Sequence, residues 1–297
     1  MPCAKKRRKA TSTDMKRILL MTFTALVALL LCVPAARSQI LTTKSFEALT
    51  TDSVLRDFSN QPYFGLYKDN YFIFGPSIGP KATKENTNVK FQISIAQRLT
   101  RSTLPWGTYL YLFYSQKCFW NVLENSMPMT DLNFNPGIGL TKPLFIKNRY
   151  IGKMSLIVEH ESNGRDSIQS RSWNKISLAA HIYVIPNLMI HGKVWIPIVD
   201  GENNRDLLKY AGIFQTGFQV MSNDRRFTGG VVLTKRQGWN LNFNTTLEFC
   251  WRIFKGDNQY FFVQYYNGYG EGLLAYKEFH SQLRAGICIK PKLFSEY

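Results

Sequence analysis

After residue 38 the chain has no apolar run long enough for a membrane-spanning helix, which excludes a helical membrane protein with several spans. The single long apolar run is Ile18–Val33, which follows the basic pair Lys16-Arg17 and precedes several small residues. A basic start, an apolar middle and small residues at the end are typical of a secretory signal. We predict a signal peptide over residues 1–38, with Met15 as a possible true start and a retained membrane anchor as the alternative.

Cysteine is scarce. Of the five cysteines, Cys3 and Cys32 lie in the predicted signal, which leaves Cys118, Cys250 and Cys288 in the exported chain. Three cysteines are too few, and odd in number, for a disulfide framework. Cys250 and Cys288 share the polar phase of their strands, so a bridge between them stays open but is not predicted.

Acidic residues are also few, at 20 against 37 lysines and arginines, for a formal charge of +17. Part of this excess lies in the predicted signal, and the exported chain keeps 29 basic and 19 acidic residues. A basic balance is common among nucleic-acid-binding proteins. Since an exported protein seldom meets nucleic acid, we predict no nucleic-acid partner and a phosphate-rich lipid surface instead.

Short alternating runs fill most of the chain. Residues 39–68 are polar without a sustained period, and we predict an N-terminal arm there. From residue 69 to 297, apolar and polar residues alternate in segments of about ten, separated by turn signals such as Lys255-Gly256-Asp257-Asn258. A soluble β-sandwich also alternates. Aromatic residues near the strand ends, together with the export signal, favour an all-β fold: a transmembrane antiparallel β-barrel of about 12 strands.

One predicted hairpin carries polar residues on its apolar face. At the two-residue period of a strand, His160 and Ser162 share a face with apolar residues of the same run. Asn174 takes the corresponding place in the next run. The apolar residues on these two faces are Met154, Leu156, Val158, Ile176, Leu178, Ala180 and Ile182. Polar groups on such a face are costly unless they bond one another, and a serine, a histidine and an asparagine can do so.

The three polar residues also suit nucleophilic catalysis. A serine attacks an ester when a base removes its proton, and a third group holds that base in its working tautomer. We predict Ser162 as the nucleophile, His160 as the general base and Asn174 as the orienting group, with Asp166 as the competing third member. Gly164 follows the nucleophile closely and offers an unhindered backbone N–H for the oxyanion.

The same stretch resembles a family signature. The signature of bacterial outer-membrane phospholipase A is similar to His160-Glu161-Ser162-Asn163-Gly164-Arg165 followed by Ser170-Arg171-Ser172-Trp173-Asn174. The likeness extends through Gly268-Tyr269-Gly270-Glu271-Gly272-Leu273 and, in outline, from about Asn70 to the end. It implies a calcium-dependent phospholipase (A1/A2 and lysophospholipase type) of the bacterial outer membrane. Such an enzyme hydrolyses acyl esters of membrane phospholipids and is active as a homodimer.

The resemblance also implies metal ligands. Ca²⁺ would be bound by the Arg165 carbonyl and the Ser170 hydroxyl, with a carbonyl from a second subunit at the position of Ser126. The family has an acidic residue where this chain has Ser167. Asp166 lies one place earlier in this chain, so the existence of the family's second, weaker calcium site stays open.

Gln116 is a candidate interface residue. It shares a phase with Leu110, Leu112 and Tyr114, so it would face lipid, where an amide seeks a partner. The resemblance implies that it bonds its twin across a dimer. Simple solvation near the water boundary is the alternative.

Two other functions remain open from the sequence. A non-enzymatic outer-membrane channel or structural barrel would have no use for the full set of catalytic and calcium-binding residues on its lipid face. A soluble secreted β-protein that binds acidic surfaces would not need detergent for extraction.

Overall fold

A computed structural model of the protein describes residues 63–100, 103–199, 202–255 and 257–291. The predicted signal peptide and most of the predicted arm lie outside this part of the chain. None of the helices among the described residues is long and apolar enough to cross a membrane.

The described chain is dominated by antiparallel strands. The strands are β1 (Phe64–Leu66), β2 (Asn70–Pro76), β3 (Thr87–Arg98), β4 (Tyr109–Trp120), β5 (Met129–Ile146), β6 (Arg149–Ser162), β7 (Ser172–Ile185), β8 (Leu188–Ile198), β9 (Phe214–Met221), β10 (Phe227–Lys235), β11 (Phe243–Arg252), β12 (Gln259–Gly268) and β13 (His280–Ile289). The helical pieces are 3-10 turns at Pro105–Gly107, Ser167–Gln169 and Glu202–Asn204 and the one-turn helix α1 (Leu208–Ala211).

The strands close into a barrel. From β2 onward each strand pairs with the next, and β13 returns to pair with β2. β1 and β2 both lie along β3, with residues 64–66 opposite 95–97 and residues 71–76 opposite 87–92. These two short strands therefore pair with successive parts of the same edge of β3 and together count as one strand of the barrel. The predicted antiparallel barrel of about 12 strands is confirmed.

The wall begins inside the range that the sequence predicts as an N-terminal arm. Residues 64–66 pair with β3, although the predicted arm extends to residue 68. The backbone N–H of Tyr67 also donates to the Ser94 carbonyl, at 3.3 Å. A strand of three residues is too short to display a two-residue period, so the sequence pattern could not reveal it.

The two faces of the wall differ in chemistry as the alternation predicts. Large apolar side chains lie exposed around the outside, including Leu156 at 48% and Val194 at 54%. The inside carries buried charged pairs, such as Glu271 with Lys90 at 3.0 Å and with Arg284 at 2.7 Å. An apolar exterior on a closed barrel is suited to lipid, because closure leaves no unpaired strand edge.

Most of the longer connections lie at one end of the barrel. The connections at that end are residues 77–86, 121–128, 163–171, 199–213, 236–242 and 269–279. At the other end, residues 147–148 and 186–187 form the tightest turns, and residues 99–108 form a longer connection. This asymmetry is typical of outer-membrane barrels. The predicted catalytic loop lies at the end with the long connections.

The connection 269–279 folds into the barrel. Besides the Glu271 pairs, the backbone N–H of Leu273 donates to Asn133 Oδ1 at 2.9 Å, and that of Leu274 donates to Asp131 Oδ2 at 2.9 Å. A Cβ at Gly272 would lie 2.4 Å from Asp131 Oδ2, so the close approach requires glycine. A polar cavity of about 270 Å³ remains inside the barrel.

The cysteines of the barrel are buried and free. Cys250 and Cys288 lie in one apolar cluster inside the barrel, and neither forms a disulfide with another described cysteine. Cys118 is also free and buried. The open question of a Cys250–Cys288 bridge is thereby answered in the negative.

Candidate active site

The predicted catalytic residues lie on one antiparallel pair of strands. β6 and β7 are in register so that His160 faces Asn174 and Ser162 faces Ser172. The three predicted residues are half-buried on the outer face, next to exposed apolar residues such as Val158. The hairpin therefore presents a polar patch within an apolar outer surface.

A hydrogen bond joins two members of the predicted set. His160 Nδ1 lies 2.9 Å from Asn174 Oδ1. Ser162 lies two residues beyond His160 on the same face of β6, and among the described residues no hydrogen bond joins its hydroxyl to the His160 ring. Asp166, the competing third member, is exposed in the loop after β6, and among the described residues it has no hydrogen bond to His160.

Gly164 follows the predicted nucleophile in a conformation that requires glycine. Its φ is +64°, in the left-handed region, and a Cβ there would lie 2.7 Å from the Phe134 ring. Phe134 is the register partner of Ser162 on β5. The chain therefore turns closely over β5 directly after Ser162, and a side chain at position 164 would collide with Phe134.

Asn163 holds the loop that follows β6. Its Nδ2 donates to the Gln169 carbonyl at 2.8 Å, and its Oδ1 accepts from the Arg171 N–H at 2.9 Å. Its own N–H donates to the Arg171 carbonyl at 3.0 Å, and the residue is 3% exposed. The signature contains Asn163, but the sequence pattern assigned it no role. A short polar side chain at the start of a turn is the signal that could have found it.

The loop also contains the predicted calcium ligands. The Arg165 guanidinium donates to Gln169 Oε1 at 2.6 Å and to the Thr130 carbonyl at 2.8 Å, so this residue is held close to β5. Among the described residues, no hydrogen bond occupies the Arg165 carbonyl or the Ser170 hydroxyl. These two hard oxygen atoms fit Ca²⁺, which takes six to eight oxygen ligands.

One chain supplies only part of such a ligand set. No group of three or more His, Cys, Asp or Glu residues that could hold a metal occurs in the described part of the chain. Asp166 and Ser167 are exposed beside the predicted ligands. A calcium shell here would need further oxygen ligands, which water or other protein groups can supply.

Ser126 lies on a separate loop at the same end of the barrel. It is exposed with φ of +65°, and the carbonyl of its neighbour Met127 accepts from Trp120 Nε1 at 2.9 Å. The resemblance assigned the third calcium ligand to a second copy of the chain, so no contact with Arg165 or Ser170 within one chain was expected. The exposed position of Ser126 is accessible to another molecule.

Gln116 lies on the outward phase of β4 but is only half-exposed. Its Oε1 accepts from the Tyr114 hydroxyl at 2.9 Å, and its Nε2 lies 3.4 Å from Cys118 Sγ. The amide therefore already has partners within its own strand. One donor position and one acceptor position remain for another molecule.

The inner face of the same hairpin carries a charged network that the sequence pattern did not reveal. Glu161 accepts from Lys175 Nζ at 3.0 Å and from Trp173 Nε1 at 2.9 Å. Glu159 pairs with Lys193 of β8 at 2.7 Å. The opposite charges on alternating inward residues could have indicated this network. The pairing of Glu159 with Lys193 could not be predicted, because it depends on the register between strands.

Two long connections are joined by polar contacts at the barrel mouth. The Tyr276 hydroxyl donates to Asp206, and this hydrogen bond holds the pKa of the Asp206 carboxyl below its usual value. Lys277 Nζ lies 2.9 Å from the same carboxylate. Tyr276 also packs with Trp173 of the β6–β7 hairpin in one buried cluster. The mouth loops therefore support the hairpin from inside.

The chain matches a known family model over almost all of its described length. The model of the family described as Phospholipase A1 covers residues 62–289. A phospholipase A1 of Klebsiella pneumoniae is 27% identical over 91% of this chain and 97% of its own length.

Two solved structures have the same fold. The outer membrane phospholipase A from Escherichia coli has a TM-score of 0.66 at 24% identity, covering 78% of this chain and 93% of that chain. The Salmonella typhi outer membrane phospholipase, solved as a dimer with bound calcium, has a TM-score of 0.69 at 22% identity, covering 80% and 97%.

Proposed function

The chain belongs to the phospholipase A1 family and is a multi-pass β-barrel of the bacterial outer membrane, and on that premise we propose that it is a calcium-dependent serine phospholipase. It hydrolyses acyl esters of membrane phospholipids, of A1/A2 and lysophospholipase type. The observation that carries the proposal is the His160–Asn174 hydrogen bond beside Ser162 on the lipid-facing surface. A channel or a structural barrel has no need of a serine, a histidine and an asparagine in this arrangement on its outer surface.

The catalytic step follows from the chemistry of the three side chains. His160 Nδ1–H donates to the Asn174 carbonyl oxygen, which leaves Nε2 unprotonated for Ser162. His160 removes the hydroxyl proton as Ser162 Oγ attacks the acyl carbonyl, and it gives that proton to the leaving glycerol oxygen, which forms an acyl-enzyme. His160 then takes a proton from a water molecule that attacks the acyl group, and the proton returns to Ser162 Oγ as the fatty acid is released. A neutral amide performs the orienting role without placing a charge against lipid.

The oxyanion of the tetrahedral intermediate needs a nearby donor. The Gly164 backbone N–H is suitable because no side chain covers it and the left-handed turn keeps the loop close to the nucleophile. Arg165 and Ser170 would hold Ca²⁺ through their carbonyl and hydroxyl oxygens. When bound, the ion supplies positive charge near the developing oxyanion.

A homodimer is part of the proposal. Ca²⁺ needs more oxygen atoms than Arg165 and Ser170 offer, and the Ser126 carbonyl of a second copy is an accessible source. The calcium-bound dimer of the Salmonella typhi relative supports this assignment. An enzyme surrounded by its substrate is then incomplete as a monomer, so association controls its activity.

The decisive experiment measures fatty-acid release from phospholipid–detergent micelles. Ser162→Ala should be inactive, while Ser155→Ala should retain activity. Ser155 is a matched control because it lies on the same strand with its side chain buried inside the barrel. A Ser162→Ala protein with wild-type activity would remove the proposed nucleophile.

The channel is the runner-up function. The inward fold of residues 269–279 opposes it, since Glu271 places buried ion pairs with Lys90 and Arg284 across the barrel interior. Conductance in planar bilayers tests the difference. Steady ion currents from a protein without esterase activity would favour the channel.

A further inference from the structure

The ladder between β5 and β6 is interrupted next to the predicted catalytic histidine. The two strands keep one register across this point, because Gly137 faces Glu159 and Phe134 faces Ser162. The same register places Pro136 opposite His160. Within these two described strands, no ladder pairing is formed at Pro136 or at its neighbour Asn135 on the β6 side.

The backbone of His160 is directed at this interruption. In an antiparallel pair, the N–H and C=O of one residue point to the same neighbouring strand, and successive residues alternate between the two neighbours. The N–H of Asn163 donates to the Arg171 carbonyl, towards β7. Odd-numbered residues of β6 therefore bond to β7, and the even-numbered His160 directs its carbonyl at β5.

Proline explains the interruption. It has no backbone N–H and therefore removes one hydrogen bond from a sheet ladder. A residue with an N–H at position 136 would donate to the His160 carbonyl, because the two positions stand opposite each other. Pro136 leaves that carbonyl without its ladder donor.

A side chain supplies the missing donor. Asn135 Nδ2 donates to the His160 carbonyl at 2.8 Å and to Glu159 Oε2 at 3.2 Å. Asn135 is 8% exposed and faces inward. Because Glu159 pairs with Lys193 at 2.7 Å, this one amide joins the backbone of the histidine to the charged network inside the barrel.

We propose that Asn135 is a positioning residue for His160. The inference rests on the proposed function, because it assumes that His160 is the base. The Asn135 amide fixes the peptide that carries the imidazole and so keeps the ring aligned with Ser162. Loss of that bond releases the His160 peptide where Pro136 provides no substitute. A small displacement of a catalytic group is enough to lower a reaction rate strongly.

The first test is Asn135→Ala, with Asn133→Ala as the matched control. Asn133 lies two residues earlier on the same strand and is also buried, but it accepts from the Leu273 N–H instead of contacting the catalytic strand. In phospholipid–detergent micelles, Asn135→Ala should lower kcat by about tenfold to a hundredfold with little change in KM. Asn133→Ala should keep kcat within about threefold. Equal losses of kcat in the two variants would overturn the inference.

The second test restores the ladder. Pro136→Ala introduces a backbone N–H directed at the His160 carbonyl, so it should return most of the kcat lost in Asn135→Ala while being nearly silent alone. A double variant as slow as Asn135→Ala, with both proteins folded by heat modifiability on gels, would contradict the inference. If Asn135→Ala does not fold, Asn135→Gln carries the test: kcat should fall through the displaced amide and recover with Pro136→Ala.

The two proposals fail in different ways. Activity in Ser162→Ala would overturn the proposed function. An inactive Ser162→Ala together with a wild-type kcat in Asn135→Ala would overturn only the positioning role.

Discussion

The outer and inner faces of the β6–β7 hairpin use alternate residues of the same two strands for different purposes. Outside, His160 and Asn174 share one 2.9 Å hydrogen bond in a half-buried patch. Inside, Glu159 is 3% exposed and contacts Lys193 and Asn135. The outer face, with few contacts, can expose the proposed catalytic groups to lipid because the inner face, with many contacts, holds the strands in place.

The largest expected effect is on the outer face. His160→Ala should reduce phospholipid hydrolysis by roughly 10⁴-fold or more, because a triad without its base retains little catalysis. Its thermal stability should match that of the wild type, since the side chain is half-exposed. The matched control is His181→Ala, which should keep its activity because His181 faces the interior. A strongly lowered melting temperature for His160→Ala would contradict the expectation that outer-face residues serve activity and not stability.

The inner face should respond in the opposite way. Glu159→Gln leaves Lys193 without its carboxylate in a buried site, where breaking an ion pair costs about 3–5 kcal/mol of unfolding free energy. Urea unfolding in lipid vesicles measures this loss, with the exposed Glu85→Gln as control. Unchanged stability would show that the network does not support the hairpin.

The orienting residue should have an intermediate effect. Asn174→Ala leaves the base and nucleophile in place but removes the acceptor for His160 Nδ1, so hydrolysis should fall less than in His160→Ala. Asn174→Asp should recover part of that loss, because a carboxylate also accepts this hydrogen bond. A fall in fatty-acid release as large as that of His160→Ala would assign Asn174 more than an orienting role.

Calcium dependence tests whether the loop after β6 binds the ion. Activity should disappear in excess chelator, and Ser170→Ala should require a higher Ca²⁺ concentration because one oxygen ligand is lost. Ser167→Ala is the nearby control. Identical calcium titrations for the wild type and Ser170→Ala would exclude the Ser170 hydroxyl as a ligand.

The smallest effect is expected at Gln116. Gln116→Ala should weaken self-association by about 0.6–1 kcal/mol, within the range for hydrogen bonds between membrane segments. The contacts with Tyr114 and Cys118 reduce what the amide can offer a second copy. Crosslinking across a series of protein-to-detergent ratios measures the shift, and an unchanged dimer fraction would argue against the interface role.

Strand periodicity predicted the features of this molecule that depend on one strand alone. It placed His160, Ser162 and Asn174 on the outer face of their strands. It could not find β1, which is only three residues long. Strand periodicity also could not predict the contact between Asn135 and the His160 carbonyl, because that contact depends on which residue of β5 stands opposite His160. Register between strands is fixed by turns and packing that a single strand's pattern does not contain.

The closure of the ring has a consequence for how the protein is made. Residues 285–289 of β13 pair with residues 70–74 of β2, and an ion pair between Lys290 and Asp69 lies at the end of this seam. The partners stand at opposite ends of the barrel sequence, so the seam cannot form before the last strand is synthesised. Until then the sheet has two open edges that can pair with other chains. Biogenesis therefore has to protect a chain that already contains every proposed catalytic residue but not yet the strand that closes its wall.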